Sequence, residues 1–171
     1  VRDLIDSLYQ GYPTGYIITW KNPEVRTKGG GRSNGKKVLI DGQQRITALM
    51  AAIAGQEVLD EDFNRDRIKI AFNPLASDDS KRFAVQDASH LKDKRWIPDI
   101  SVVFQPEFDP FDFSIRYCES NDGITPNEVN RALNDLKGIA NRQIGVIELN
   151  HTLDIDEVTK SSSASTQRVR R

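Results

Sequence analysis

The chain has 171 residues, 24 basic and 25 acidic side chains, a net charge of −1 and a hydrophobic share of 37%. That length suffices for one domain with a core, but the apolar share is below the roughly 45–50% (glycine included) of ordinary domains, which fits a domain that leans on a partner or on further segments. The near-zero charge excludes a global electrostatic drive toward nucleic acid or membrane, no apolar run nears the roughly 20 residues of a membrane helix, and the lone Cys118 excludes an internal disulfide and suits a reducing cytoplasm.

In chain order, Val1, Leu4, Ile5 and Leu8 fall at helical spacing, and Gly11 and Pro13 end that helix. Tyr16 to Trp20 reads as a strand of aromatic and β-branched residues. Residues 21–36 hold Gly29, Gly30, Gly31 and Gly35 among basic neighbours. Two readings stand for this loop, a hairpin connection and a nucleotide-gripping lid. Strand 37–41 then feeds a helix over 43–54, with Ile46, Leu49, Met50 and Ile53 on one face and Gly55 at its end. Leu39, Ile40, Ile46, Leu49 and Ile53 are expected to be buried.

Arg67 to Phe72 alternates, with Ile68, Ile70 and Phe72 facing one way, and Arg82 to Gln86 offers a second strand of one hairpin. Residues 88–110, with Pro98, Pro106 and Pro110, read mostly as loop. Phe111 to Glu119 reads as a short helix. Thr125-Pro126-Asn127-Glu128 is a helix start with a capping box, and Val129, Leu133, Leu136 and Ala140 continue its buried face. Gln143 to Leu149 is the last strand. These segments predict an α/β (α+β) domain over 1–159, followed by a disordered basic tail over 160–171.

Charge is unevenly spread. Residues 21–45 hold seven basic residues against two acids, and residues 99–128 hold seven acids against Arg116 alone. The first segment is read either as a solvated loop or as a polyanion-attracting arm, with Lys28, Arg32, Lys36 and Lys37 as its nucleic-acid-contacting residues. His90 and His151 stand apart from any zinc-spaced partner. Neither a Walker phosphate loop nor a Gly-x-Ser-x-Gly elbow is present.

The most informative stretch is Val38-Leu39-Ile40-Asp41-Gly42-Gln43-Gln44-Arg45-Ile46-Thr47-Ala48-Leu49. An apolar strand ends at Asp-Gly, and a polar block opens a helix. The first N–H groups of a helix lack intrahelical partners and, with the helix dipole, make an anion site. The plainer reading is an Asp-Gly turn in which Asp41 caps the helix and Arg45 is a surface residue.

The Asp41-to-Arg45 block after its strand resembles the signature of the N-terminal domain of GmrSD-type modification-dependent restriction enzymes. Leu4-Ile5-Asp6-Ser7-Leu8 with Gly11-Tyr12-Pro13, and Gln143 to Leu149 with Leu153-Asp154-Ile155-Asp156-Glu157-Val158, are similar to flanking parts of that family in the right order. The resemblance implies a ParB/sulfiredoxin-like fold, a mixed sheet with flanking helices. It also implies nucleoside triphosphatase activity in a restriction or phage-defence protein. On that basis Gly42, Gln43, Gln44 and Arg45 would bind nucleotide, Asp41, Gln44 and Arg45 would be catalytic, and Asp41 would hold Mg²⁺. The expected partners are a nucleoside triphosphate and DNA, the latter through a nuclease domain or subunit, with a homo-oligomer as a further expectation. Sulfiredoxin chemistry is not expected, because Gln43 stands where the signature loop would need a cysteine. Upstream Gln-Arg-x-Tyr-x-Trp-like and downstream Phe-x-x-Ile-Asn-like segments of the family are missing. The chain is therefore expected to be a fragment that binds nucleotide weakly and turns it over poorly. The alternatives are a non-catalytic DNA-binding or regulatory module of the same fold, and an inactive truncated remnant.

Overall fold

The computed structural model describes residues 1–21, 37–59, 65–78 and 81–150. The first elements are α1 (Arg2–Gln10), β1 (Tyr16–Trp20), β2 (Val38–Asp41), α2 (Gln43–Ala52), β3 (Val58–Leu59), β4 (Arg65–Asp66), β5 (Ile70–Phe72) and β6 (Phe83–Val85). They are followed by α3 (Ala88–Lys92), a 3₁₀ turn (Ile100–Phe104), α4 (Pro110–Glu119), α5 (Pro126–Lys137), a second 3₁₀ turn (Gly138–Asn141) and β7 (Gly145–Leu149). The architecture is mixed α and β, as the sequence predicts. The predicted tail over 160–171 lies outside the described residues. The chain divides into two compact units, one of Val1–Pro13 with Arg45–Arg142, the other of Thr14–Gln44 with Gln143–Arg171.

The first unit holds most of the core. Helix α1 buries Ile5 and Leu8. It ends at Gly11 (φ 78), where the Tyr12 N–H reaches the Ser7 carbonyl at 2.8 Å and the Gly11 N–H reaches Leu8 at 3.2 Å. That double bond pattern needs a left-handed residue, hence glycine. Arg142 donates to the Leu8 and Tyr9 carbonyls (3.1 and 3.3 Å), a cation at the negative end of the helix dipole.

Strands β5 and β6 pair antiparallel, with Phe72 opposite Phe83. On its other side Phe72 exchanges both backbone hydrogen bonds with Ile97 (2.9 and 2.7 Å). Strand β5 is thus central, and Ile70, Ala71 and Phe72 are all buried. Ile70 and Phe72 lie two apart on one face as expected, and the buried Ala71 shows that the other face is covered too. The strand also starts later than predicted. Arg67 instead leaves to donate to Asp99 (2.7 Å) and Ser101 (2.6 Å), and Ile68 is only partly buried.

The segment 88–110, expected as loop, carries α3 and the first 3₁₀ turn, and it supplies Ile97, Ile100 and Val103 to the core. Both short helices start on aspartate caps, Asp87 and Asp99. His90 is held by its neighbours. Its Nδ1 accepts from the Asp87 N–H, and its ring meets Trp96 edge-on at 4.5 Å.

Helix α4 opens on Asp109, which accepts from Phe111 and Asp112 ahead of Pro110 at the first turn. Helix α5 has the predicted capping box between Thr125 and Glu128, a device worth about 1 kcal/mol. It buries Val129, Leu133 and Leu136, but Ile139 follows them into the core and Ala140 is exposed. The helix tightens into a 3₁₀ turn after Lys137, and the change from 3.6 to 3 residues per turn rotates the buried position by one.

Burial pushes the buried Tyr117 phenol up to about 12, while its hydroxyl donates to the Arg95 carbonyl at 2.7 Å. An acid whose pKa is raised by folding stabilises the fold fully below its unfolded value of about 10. That contribution is lost as pH rises from there through the folded value. Ultraviolet titration should therefore show a tyrosinate transition near 12 that Tyr117→Phe removes.

Helix α2 corrects a second expectation. It buries Ala48, Ala51 and Ala52, while Ile46, Leu49 and Ile53 are only half-buried and Met50 is exposed. The fully buried positions are therefore the alanines, while Leu49 and Ile53 pack against the edge of the core. Leu39 and Ile40 of β2 are likewise half-buried rather than buried.

The second unit is a three-stranded mixed sheet in the order β2-β1-β7, with β1–β2 antiparallel and β1–β7 parallel. Ile18 and Trp20 are buried, and the Trp20 indole donates to the Asn150 carbonyl at 3.1 Å. Gly145 lies opposite Tyr16 in this sheet, where an added Cβ would come within 2.5 Å of the ring.

Candidate functional site

The Asp41-to-Arg45 block sits where β2 hands over to α2. Strand β2 does not run into this corner in even register. Val38 faces Trp20 and Leu39 faces Thr19, but Asp41 faces Ile18, so the pairing shifts at Ile40. An extra residue in one strand changes which face the following side chains occupy. Without the bulge Asp41 would lie opposite Ile17; with it, Asp41 shares the face of Ile18 and Trp20.

Gly42 comes next, buried, with φ 93. A Cβ built there would lie 3.1 Å from Ile17 Cγ1. Two independent demands, a positive φ and a close approach, thus select glycine. The Gly42 N–H donates to Asp41 Oδ1 at 2.7 Å. The residue immediately ahead of α2 is therefore Gly42, and the aspartate grips the corner one residue earlier than a capping side chain would.

Helix α2 then starts at Gln43 and runs ten residues. Gln43 and Gln44 are exposed and Arg45 is half-buried. The first N–H groups of such a helix point outward with the positive end of its dipole. The block thus brings together a carboxylate, a fixed glycine corner, two exposed amides and a guanidinium within one turn of the chain. Such a corner can hold an anion against backbone N–H groups, with side-chain charge beside it.

The predicted basic residues fare differently. Lys28, Arg32 and Lys36 lie outside the described residues. Lys37 pairs with Glu148 of β7, and that lysine holds the Glu148 carboxyl below its usual range. It stands at the opposite end of β2 from Asp41, about 13 Å away at the rise of a strand.

Two contributors escaped the sequence reading, Ile17 beneath the glycine and the bulge at Ile40. The alternation of Tyr16 to Trp20 signals that Ile17 has a face, but not what it touches. Among the described residues no group of three or more His, Cys, Asp or Glu side chains could cage a metal. None of the described helices is long and apolar enough to cross a membrane.

None of the curated proteins matches the chain. The family model described as the N-terminal domain of the GmrSD restriction endonuclease matches residues 1–161, which takes in the Asp-Gly-Gln-Gln-Arg corner and every described element, and the chain belongs to that family.

Proposed function

We propose that this chain is the nucleotide-binding and nucleotide-hydrolysing part of a restriction system, with the Asp41-to-Arg45 corner as its phosphate site. Membership of the family supplies the restriction context. The observation that carries the reading is Gly42, held at φ 93 against Ile17 immediately before a ten-residue helix. That corner sets the direction of the N-terminus of α2, with its positive dipole end, next to Asp41 and Arg45. Phosphoryl transfer asks mainly for positioned charge, which is what such a corner provides.

In this reading the backbone of Gly42 to Gln44 holds phosphate oxygens, and the Gln43 and Gln44 amides add hydrogen bonds. Arg45 offsets developing charge. Asp41 is the residue that would hold Mg²⁺. One carboxylate is a sufficient protein contribution, because Mg²⁺ in such sites keeps waters and substrate phosphates as its other ligands. The ion, when bound, neutralises phosphate oxygens during transfer.

Isothermal titration with the four ribonucleoside triphosphates and Mg²⁺ tests the reading. Arg45→Ala should weaken binding by more than about 1.5 kcal/mol, the low end for a charge-assisted hydrogen bond, with little change in melting temperature. Phosphate release should depend on Asp41. Unaltered binding together with a lowered melting temperature would make Arg45 a structural residue instead.

A further inference from the structure

Outside the corner, the first unit contains a pocket of about 380 Å³ between one face of α4 and the segment Lys94–Pro98. Phe113, Arg116, Tyr117 and Ser120 line it from the helix. Their spacing of three, four and seven residues places them on one face. From the other side come Lys94, Trp96 and Pro98. The volume is at the small end of ligand sites, enough for one ring system with a substituent.

The walls are aromatic. Phe113 and Tyr117 stand with ring centroids 6.1 Å apart and a tilt of 34°. Trp96 is held edge-on by His90. The frame is fixed by hydrogen bonds that do not consume the pocket's interior. The Tyr117 hydroxyl donates to the Arg95 carbonyl at 2.7 Å, and Asn121 Nδ2 bridges the Lys94 and Tyr117 carbonyls (3.2 and 2.9 Å). Backbone pairing of Ile97 with Phe72 anchors the far side to the core. Order of this kind lowers the entropy lost when a ligand enters.

The rim is cationic. Lys94 and Arg116 are exposed at the pocket, and Asp112 on the preceding turn orients the Arg116 guanidinium through an ion pair. Arg116 is the single basic residue in the acidic stretch 99–128, and it faces this pocket. A second cation so close argues against a cationic guest in the aromatic walls.

We propose that this pocket binds a flat aromatic ring carrying an anionic group, the ring lying against Trp96, Phe113 and Tyr117 and the anion meeting Lys94 and Arg116. Such chemistry has two sources, a nucleoside monophosphate and an aromatic carboxylate. The pocket shares no residue with the Asp41-to-Arg45 corner and does not rest on the function proposed for it.

The test is isothermal titration of the full chain with adenosine 5′-monophosphate, with indole-3-acetate and with uncharged adenosine, alongside tryptophan fluorescence. Lys94→Gln with Arg116→Gln removes both charges at exposed positions, and Ser120→Phe fills the mouth; melting temperatures verify that both variants fold. One of the two anions should bind and perturb Trp96 fluorescence, a signal that Trp96→Phe removes. The double variant should weaken that binding by about tenfold or more, as for a lost charge-assisted hydrogen bond, and Ser120→Phe should abolish it. Arg45→Ala should leave it intact. The better-bound anion names the source. The proposal is overturned if neither anion binds at millimolar concentration, if adenosine binds as tightly as its phosphate, or if binding follows Arg45 rather than Lys94 and Arg116.

Discussion

Phe72→Ala is expected to cost about 3–5 kcal/mol of stability, the range for truncating a fully buried aromatic side chain. Three features put it there. The residue is fully buried. Its ring lies 5.1 Å from Phe83 and 5.9 Å from Tyr9, centroid to centroid, so α1 and the β5–β6 hairpin meet on it. Its backbone pairs on both sides, with Phe83 and with Ile97, which prevents the strand from collapsing into the cavity. Since whole domains are stable by only about 5–15 kcal/mol, a loss of this size should lower the urea midpoint sharply with little change in slope. Phe72→Leu should lie between the two. A loss below about 1 kcal/mol would show that this aromatic cluster is not the centre of the core.

Gly42→Ala is expected to affect both fold and site. The backbone conformation at φ 93 is unfavourable for any residue with a Cβ, and that Cβ would press on Ile17 Cγ1. The combined loss should be about 1–3 kcal/mol. Ile17→Ala in the same chain removes the Cγ1 contact, so on that background Gly42→Ala should cost less and leave the backbone share. If the corner is the phosphate site, Gly42→Ala should also weaken triphosphate binding by about tenfold or more, because displacements of about 1 Å can cost about a hundredfold in such sites. Denaturant melts give the first quantity and titration the second. Full stability in Gly42→Ala would mean that the corner can be rebuilt without glycine, and the argument for a fixed anion site would fall with it.

The local elements were legible because their signals are local. Thr125, Pro126 and Glu128 announce α5 through bonds made within one turn. The strand and helix around Asp41 follow from an apolar run, a glycine and helical spacing, and they appear at Val38–Asp41 and Gln43–Ala52. That a strand, a glycine and a helix start meet at Asp41 to Gln43 was therefore readable from residues alone.

What the tertiary structure decided depends on partners distant in the chain. The pairing of β5 on both edges, with Phe83 and Ile97, and the start of the strand at Ile70 rather than Arg67 were not legible in its own residues. Helix α2 fully buries Ala48, Ala51 and Ala52 rather than the bulkier Ile46, Leu49 and Ile53. The 88–110 stretch is polar enough to read as loop, yet Ile97, Ile100 and Val103 are spaced to meet a core that only the fold assembles. The bulge at Ile40 and the seat of Gly42 on Ile17 are register effects between β1 and β2. Periodicity reports how one segment divides its own faces. Which face is covered, and by what, is settled by contacts across the chain, and those the sequence alone does not contain.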